Sequence, residues 1–155
     1  MNAKQLQAFV HTAEFKKPAA AYLAAKVVAE IMRKEVDAYI EPIWAGYGFK
    51  ATRDGSPILT SARAYLTDDA RLPEFYAACD RAHAEQGHKL EPGYCPALIA
   101  ENKLLDAENA ILKALSGPLG FDYDSLNRSM AVRRKMLDVI TGLATKVIQE
   151  ERAVA

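Results

Sequence analysis

Apolar side chains recur every three or four residues along most of this chain, which is the period of an amphipathic α-helix. The clearest example begins at Pro18, a residue that suits the first position of a helix. Its apolar positions are Leu23, Val27, Val28, Ile31, Met32, Val36, Tyr39 and Ile40. The spacing predicts one long helix that Pro42 ends, because proline lacks the N–H that continues the hydrogen-bond ladder.

Other segments show the same period together with residues that start and stop helices. A short helix is predicted over residues 6–13. A second opens at Pro73 and stops at Gly87. A third starts at Pro96 and stops at the Ser-Gly-Pro sequence of residues 116–118.

The last predicted helix begins at Asp122 or Asp124, either of which can cap it, and runs through residue 151. Its apolar side chains surround more of the helix than the stripe of about 100° that a monomeric helical protein needs. We therefore expect part of this surface, with Met136 and Leu143 as candidates, to contact a partner. The apolar set is Met130, Val132, Met136, Leu137, Val139, Ile140, Leu143, Val147 and Ile148.

Residues 42–60 are rich in glycine and proline and are predicted to form a long irregular loop. The loop carries the aromatic residues Trp44, Tyr47 and Phe49. Aromatic side chains dominate binding hot spots, and Trp44 is the strongest candidate anchor. The alternative is that these aromatic side chains close the open end of the protein core.

No segment shows a convincing strand pattern, and the length of 155 residues suits one domain. The predicted fold is an all-α helical bundle over residues 1–155, with three long helices and one or two short ones. Lys plus Arg and Asp plus Glu both number 20, so the net charge is zero. A neutral chain is unfavourable for nucleic-acid binding, which depends on phosphate neutralisation, but it permits self-association.

The segment CDRAHAEQGHKLEPGYC, residues 79–95, holds both cysteines and two of the three histidines. We interpret Cys79 as a core residue and His83 and His88 as surface groups beside a turn, with no cofactor. One alternative is a zinc site with Cys79, His83, His88 and Cys95 as candidate ligands, although no C-x2-C pair is present. A partial site of His83, His88 and Cys95 is the easiest to build. Another is a reactive thiol at Cys95, whose pKa the adjacent helix start could lower.

The sequence EPGYCPALIAENKLLDAENAILKAL, residues 91–115, followed by a terminal helix, resembles small uncharacterised all-α proteins encoded by tailed bacteriophages. The chain is also similar in size and helix content to helical connector and decoration proteins of virions. The resemblance implies a role in assembly. It includes no functional motif, so it assigns no catalytic or binding residue.

These observations predict a non-enzymatic protein that acts by protein–protein contact, as a homo-oligomer or as part of a larger assembly. The first alternative function is a small metal-binding module at His83, His88 and Cys95. The second is a nucleic-acid-associated regulator that uses Arg128, Arg133, Arg134 and Lys135. Without a signal peptide or an apolar run long enough to span a membrane, the expected location is the cytoplasm, or the virion if a phage encodes the protein.

Overall fold

The computed structural model describes residues 3–47 and 71–154 of the chain. Within these ranges, helices hold 85% of the residues and no strand occurs, which confirms the all-α class. None of the described helices is both long and apolar enough to cross a membrane. The helices are α1 (Ala3–Val10), α2 (Ala13–Gly46), α3 (Leu72–Glu85), α4 (Pro96–Leu119), α5 (Tyr123–Asn127) and α6 (Met130–Val154).

The chain divides into two compact units, each with a hydrophobic core of its own. The first unit comprises Met1–Val27 and Lys103–Ala155, and the second comprises Val28–Asn102. Helices α2 and α4 are long enough, at 34 and 24 residues, to contribute side chains to both cores. The predicted single domain is therefore described below as two units, each by itself.

The core of the first unit is built on one side of α6. The buried residues of that helix are spaced alternately four and three apart, so they form a single seam along it. Helices α1 and α5 both contact α6. The seam is Arg133, Leu137, Ile140, Ala144 and Val147, and it packs with Phe15 and Tyr22 of α2 and with Ile111, Leu112 and Leu115 of α4.

The core of the second unit is formed where the last three turns of α2 pack against α3. Val36, Ile40 and Trp44 of α2 are buried together with Phe75 and Cys79 of α3. The Trp44 and Phe75 rings meet edge to face, with centroids 6.3 Å apart. Such aromatic pairs add stability beyond the area that they bury.

The prediction that Pro42 ends the long helix is wrong, because α2 continues to Gly46. An internal proline costs a helix roughly 3 kcal/mol. Here the following turn carries Trp44, which is only 1% exposed, and burial of so large a side chain offsets that cost. Residues 42–46 of the predicted loop are thus helical, whereas residues 48–60, including Phe49, lie outside the described residues.

The helix boundaries predicted at Pro18 and Pro118 also differ from the observed ones. Helix α2 begins at Ala13, so Pro18 lies in its second turn and not at its first position. Pro118 lies inside α4, and the helix ends one residue later at Leu119. Gly120, with φ +71°, closes it, and the Phe121 N–H donates to the Ser116 carbonyl at 3.0 Å. The left-handed glycine, not the proline, is the stop signal.

The predicted last helix is two helices in the structure. Asp122 caps the short α5, where its carboxylate accepts a hydrogen bond from the Asp124 N–H at 3.1 Å. Helix α6 starts separately at Met130, after Ser129, whose carbonyl accepts from the Arg133 N–H at 2.9 Å. The predicted starts at Pro73 and Pro96 and the stop at Gly87 are confirmed, within one residue, by the bounds of α3 and α4.

Arg133 is a buried cation in the first core. Its side chain is 4% exposed and donates to the Glu108 carboxylate of α4 at 2.9 Å. A second ion pair, Arg33–Glu101, joins α2 and α4 in the second unit at 3.3 Å, but it is considerably more exposed. The Arg133–Glu108 pair is therefore a buried interaction, whereas solvent screens the Arg33–Glu101 pair.

We expect Trp44→Ala to lower the free energy of unfolding by about 3–5 kcal/mol, because it leaves a cavity in the second core. The measurement is a urea titration followed by circular dichroism. Tyr94→Ala is the matched control, since Tyr94 is 53% exposed and its loss should change stability by no more than about 0.5 kcal/mol. Equal effects from the two variants would contradict the placement of Trp44 in a core.

We expect Glu108→Ala to destabilise the protein by about 3 kcal/mol, because it removes a carboxylate from a buried guanidinium. Glu101→Ala, at the more exposed pair, should cost under about 1 kcal/mol. The same urea titration compares the two variants. A larger loss at Glu101 than at Glu108 would show that the buried pair contributes less than its burial implies.

Candidate functional site

The segment that holds both cysteines is an ordered turn between α3 and α4. Gly87, with φ +82°, ends α3, and the His88 N–H donates to the His83 carbonyl at 3.0 Å. Gly93 also has a positive φ, as expected at the third position of a type II turn. Its N–H donates to the Asp80 carboxylate at 3.0 Å, which ties the turn back to α3.

His83 is buried, at 2% exposure, and not the surface group that the sequence predicts. Its Nδ1 lies 2.9 Å from the hydroxyl oxygen of Tyr39 on α2, and the two rings meet edge to face. Burial raises the pKa of Tyr39 to about 12 and lowers the pKa of His83, so both are neutral at pH 7. The Tyr39 hydroxyl and the His83 Nδ1 thus share one hydrogen bond between neutral groups, and the tautomer of the ring decides which of the two donates.

The two thiols are buried in the same core cluster. Burial raises the pKa of Cys79 to about 12. Burial also raises the pKa of Cys95, although the N–H groups of Ala97 and Leu98 at the start of α4 act in the opposite direction. The helix start thus has the predicted effect on Cys95, but desolvation outweighs it. Both side chains are protonated thiols at neutral pH, and the thiolate is the nucleophile in cysteine chemistry.

The alternative metal site gains no support from the geometry. Across residues 3–47 and 71–154, no three His, Cys, Asp or Glu side chains come together in a way that could hold a metal ion. All four candidate ligands are within these ranges: Cys79, His83, His88 and Cys95. The structure instead assigns the His83 Nδ1 to a hydrogen bond with Tyr39.

A cleft of about 370 Å³ opens beside this turn. That volume is at the lower end of the range for small-molecule pockets. Charges of both signs line it, since Asp80, Glu91 and Lys89 all contribute to its wall with His83 and Tyr94. The mixture does not select a cation or an anion.

The aromatic residues of the predicted loop are placed inside and at the edge of the second core. Trp44 is buried, so it is not available as a surface anchor in this structure. Tyr47 is half-buried, with its ring 5.4 Å from that of Phe75 in an edge-to-face contact. Of the two interpretations, closing a core fits both residues.

The basic run of α6 does not form one continuous exposed surface. Arg133 is committed to Glu108 in the first core. Arg128, Arg134 and Lys135 are exposed. Arg133 is buried and its neighbours Arg134 and Lys135 are exposed because successive residues of a helix are turned by about 100°.

An apolar row remains on the surface of α6 beside the buried seam. Val132 and Val139 are 49% and 56% exposed. Met136 and Leu143, which the sequence marks as interaction candidates, lie in the same row and are half-buried against the core. We call these four residues the α6 stripe. Each precedes a buried residue by one position, so the stripe flanks the seam along about 16 Å of helix.

The sequence reasoning missed two features of these sites. Tyr39 was read as one more apolar position of α2, and no local signal links it to His83, 44 residues away. Val28 and Ile31 were assigned to the same apolar period, but they are 53% and 50% exposed. Periodicity alone does not show which side of a helix faces a core, so the sequence held no signal for their exposure.

Comparisons of the chain with protein families, with curated proteins and with solved structures find no match. The geometry of the described residues therefore carries the functional argument.

We expect the free energy of unfolding to fall as the pH drops below about 6.5, the ordinary pKa of histidine. His83 has a lowered pKa when folded, so the unfolded chain binds a proton first and acid favours unfolding. Urea titrations at pH 7.5 and pH 5.5 measure the loss. His83→Gln should reduce the difference between the two pH values, because it removes the buried imidazole. An unaltered difference in the His83 variant would contradict the assignment.

Proposed function

We propose that this protein is a non-enzymatic assembly subunit that acts by protein–protein contact through the α6 stripe. The narrower proposal, a structural or accessory role in a virion, rests on the sequence resemblance to bacteriophage proteins and not on the structure.

The observation that carries this proposal is the exposure of Val132 and Val139. Single exposed apolar side chains are ordinary, but here two of them lie in one row with the half-buried Met136 and Leu143. Met136 and Leu143 pack partly against the first core, whereas Val132 and Val139 remain about half exposed beside it. Burial against another protein removes this apolar surface from water at about 25 cal/mol per Å².

Charge does not oppose such a contact. The chain has 20 basic and 20 acidic residues, so two copies experience little net repulsion. Lys135 and Lys146 are exposed near the stripe, and charged residues at an interface rim orient the partners.

We expect the wild-type chain to associate as its concentration rises, and Val139→Glu to raise the dissociation constant at least about tenfold, because it places a charge in the centre of the contact. Sedimentation velocity over a wide concentration range measures both. Thr145→Glu adds the same charge at an exposed position elsewhere on α6 and should associate as wild type does.

Circular dichroism of each variant establishes that the helical content is unchanged. A wild-type chain that remains monomeric at every concentration would contradict self-association. A Val139→Glu chain that associates as strongly as wild type would show that the contact lies elsewhere.

A further inference from the structure

The cleft beside the turn between α3 and α4 changes character with depth. Its mouth carries exposed charges of both signs, Lys89 and Glu91, which together select neither a cation nor an anion. The less exposed part of the wall holds one carboxylate, Asp80, and two imidazoles, His83 and His88. We call this part the inner wall. Among the described residues that line the cleft, no lysine or arginine accompanies Asp80 there.

Asp80 is held in place with one oxygen atom still available. Its Oδ1 accepts from the Gly93 N–H at 3.0 Å, so the carboxylate is fixed against the turn. Within residues 3–47 and 71–154, no basic side chain forms an ion pair with it. A half-buried carboxylate is costly without a partner, and a charged donor forms the strongest hydrogen bonds to it. The Oδ2 atom is therefore suited to accept from a cationic ligand.

His83 brings a second polar atom to the cleft. The residue is only 2% exposed, and its Nδ1 is engaged with Tyr39, which does not line the cleft. In the described part of the chain, no hydrogen bond engages Nε2, and this atom is not one of the buried side-chain atoms that lack a partner. The small exposed part of the ring thus includes Nε2, and the open space that His83 lines is the cleft.

The Tyr39 hydroxyl allows this Nε2 to act as an acceptor. A hydroxyl group accepts a hydrogen bond from Nδ1–H as well as it donates one to Nδ1. When Nδ1 carries the ring proton and donates to Tyr39, Nε2 has a free lone pair. A donor in the cleft selects that tautomer without moving either ring.

Asp80 and His83 lie close enough to bind one ligand group together. They are three positions apart on α3, so their side chains are neighbours on one face of the helix. Burial lowers the pKa of His83, and the nearby Asp80 carboxylate partly opposes this shift. The inner wall therefore offers two acceptors, Oδ2 and Nε2, to a single donor group.

We propose that this cleft binds a small organic cation, a primary ammonium with an apolar or aromatic arm. An ammonium has three donors and no acceptor, which suits Oδ2 of Asp80 and Nε2 of His83. Leu90 and the exposed Tyr94 ring line the same cleft and provide apolar and aromatic surface for the arm.

The size of the cleft limits the ligand. A volume of about 370 Å³ corresponds to roughly a dozen water molecules, and so to a ligand of about ten non-hydrogen atoms. All the residues that line the cleft belong to the second unit, whereas the α6 stripe belongs to the first. The ligand site is thus independent of the proposed assembly contact, and a failure of one leaves the other standing.

The histidine rings report binding directly. The full chain is titrated with phenethylamine at pH 7.5, and the proton–carbon NMR signals of the rings are followed. The His83 and His88 signals should shift to saturation, with a dissociation constant of about 1 mM or below. His11, in the first unit, is the internal control and should not shift. Equal shifts of all three rings, or none at all, would overturn the proposal.

Ligands of similar shape but different charge test the chemical class on the wild-type chain. Phenethyl alcohol is neutral and phenylacetate is an anion, so neither forms an ion pair with Asp80. Both should bind at least about tenfold more weakly than phenethylamine. Equal affinity for the alcohol would show that the arm alone binds. Tighter binding of phenylacetate would show that Lys89 recognises an anion. Either result contradicts a cation site.

A substitution then assigns the charge to one residue. Asp80→Asn keeps an oxygen that can accept from the Gly93 N–H and removes the negative charge, so it should weaken phenethylamine binding at least about tenfold. Glu74→Gln is the matched control, because it makes the same change of net charge at an exposed position of α3 outside the cleft. Its affinity should stay within about twofold of wild type. Circular dichroism checks the fold of both variants. A folded Asp80→Asn chain with wild-type affinity would show that Asp80 does not bind the ligand.

Discussion

The helical period of α2 is the constraint on which both cores depend. This one helix supplies Phe15 and Tyr22 to the first core and Ile40 and Trp44 to the second. The helix is continuous through 34 residues, including two internal prolines. Proline weakens the hydrogen-bond ladder locally, but the side chains buried on either side of it keep the helix continuous. Tertiary packing here overrides a local breaker, as it often overrides propensity.

The same period creates the α6 stripe that we propose for assembly. A helix that commits one side to a core exposes the opposite side, and in α2 and α6 part of the exposed side is apolar. In α6 the half-buried Met136 and Leu143 connect the core seam with the exposed valines. A hydrophobic surface of this kind is continuous with the core, so its side chains are held in place before any partner arrives. Preorganisation of this kind lowers the entropic cost of association.

The sequence predicted where helices lie along the chain better than it predicted which side chains pack against one another. Pro96 and Gly87 marked helix ends correctly because their backbone preferences are local. Pro42 and Pro118 were wrong as helix ends. Helix α2 continues past Pro42 because Trp44 is buried in the folded chain, and α4 ends at the left-handed Gly120. Periodicity showed that Val28 and Ile31 are apolar, but not which side of α2 has a core to face. The Tyr39–His83 hydrogen bond depends on how α2 packs against α3, which no spacing rule supplies.

The buried thiols have a consequence for the handling of the protein and for the kind of complex it forms. Oxidation of cysteine proceeds through the thiolate and needs access to the oxidant. Cys79 and Cys95 are 1% and 6% exposed, and burial raises the pKa of both. The folded chain should thus tolerate air without reducing agent. Any complex between copies is then held by reversible contacts alone, with no covalent link to trap it.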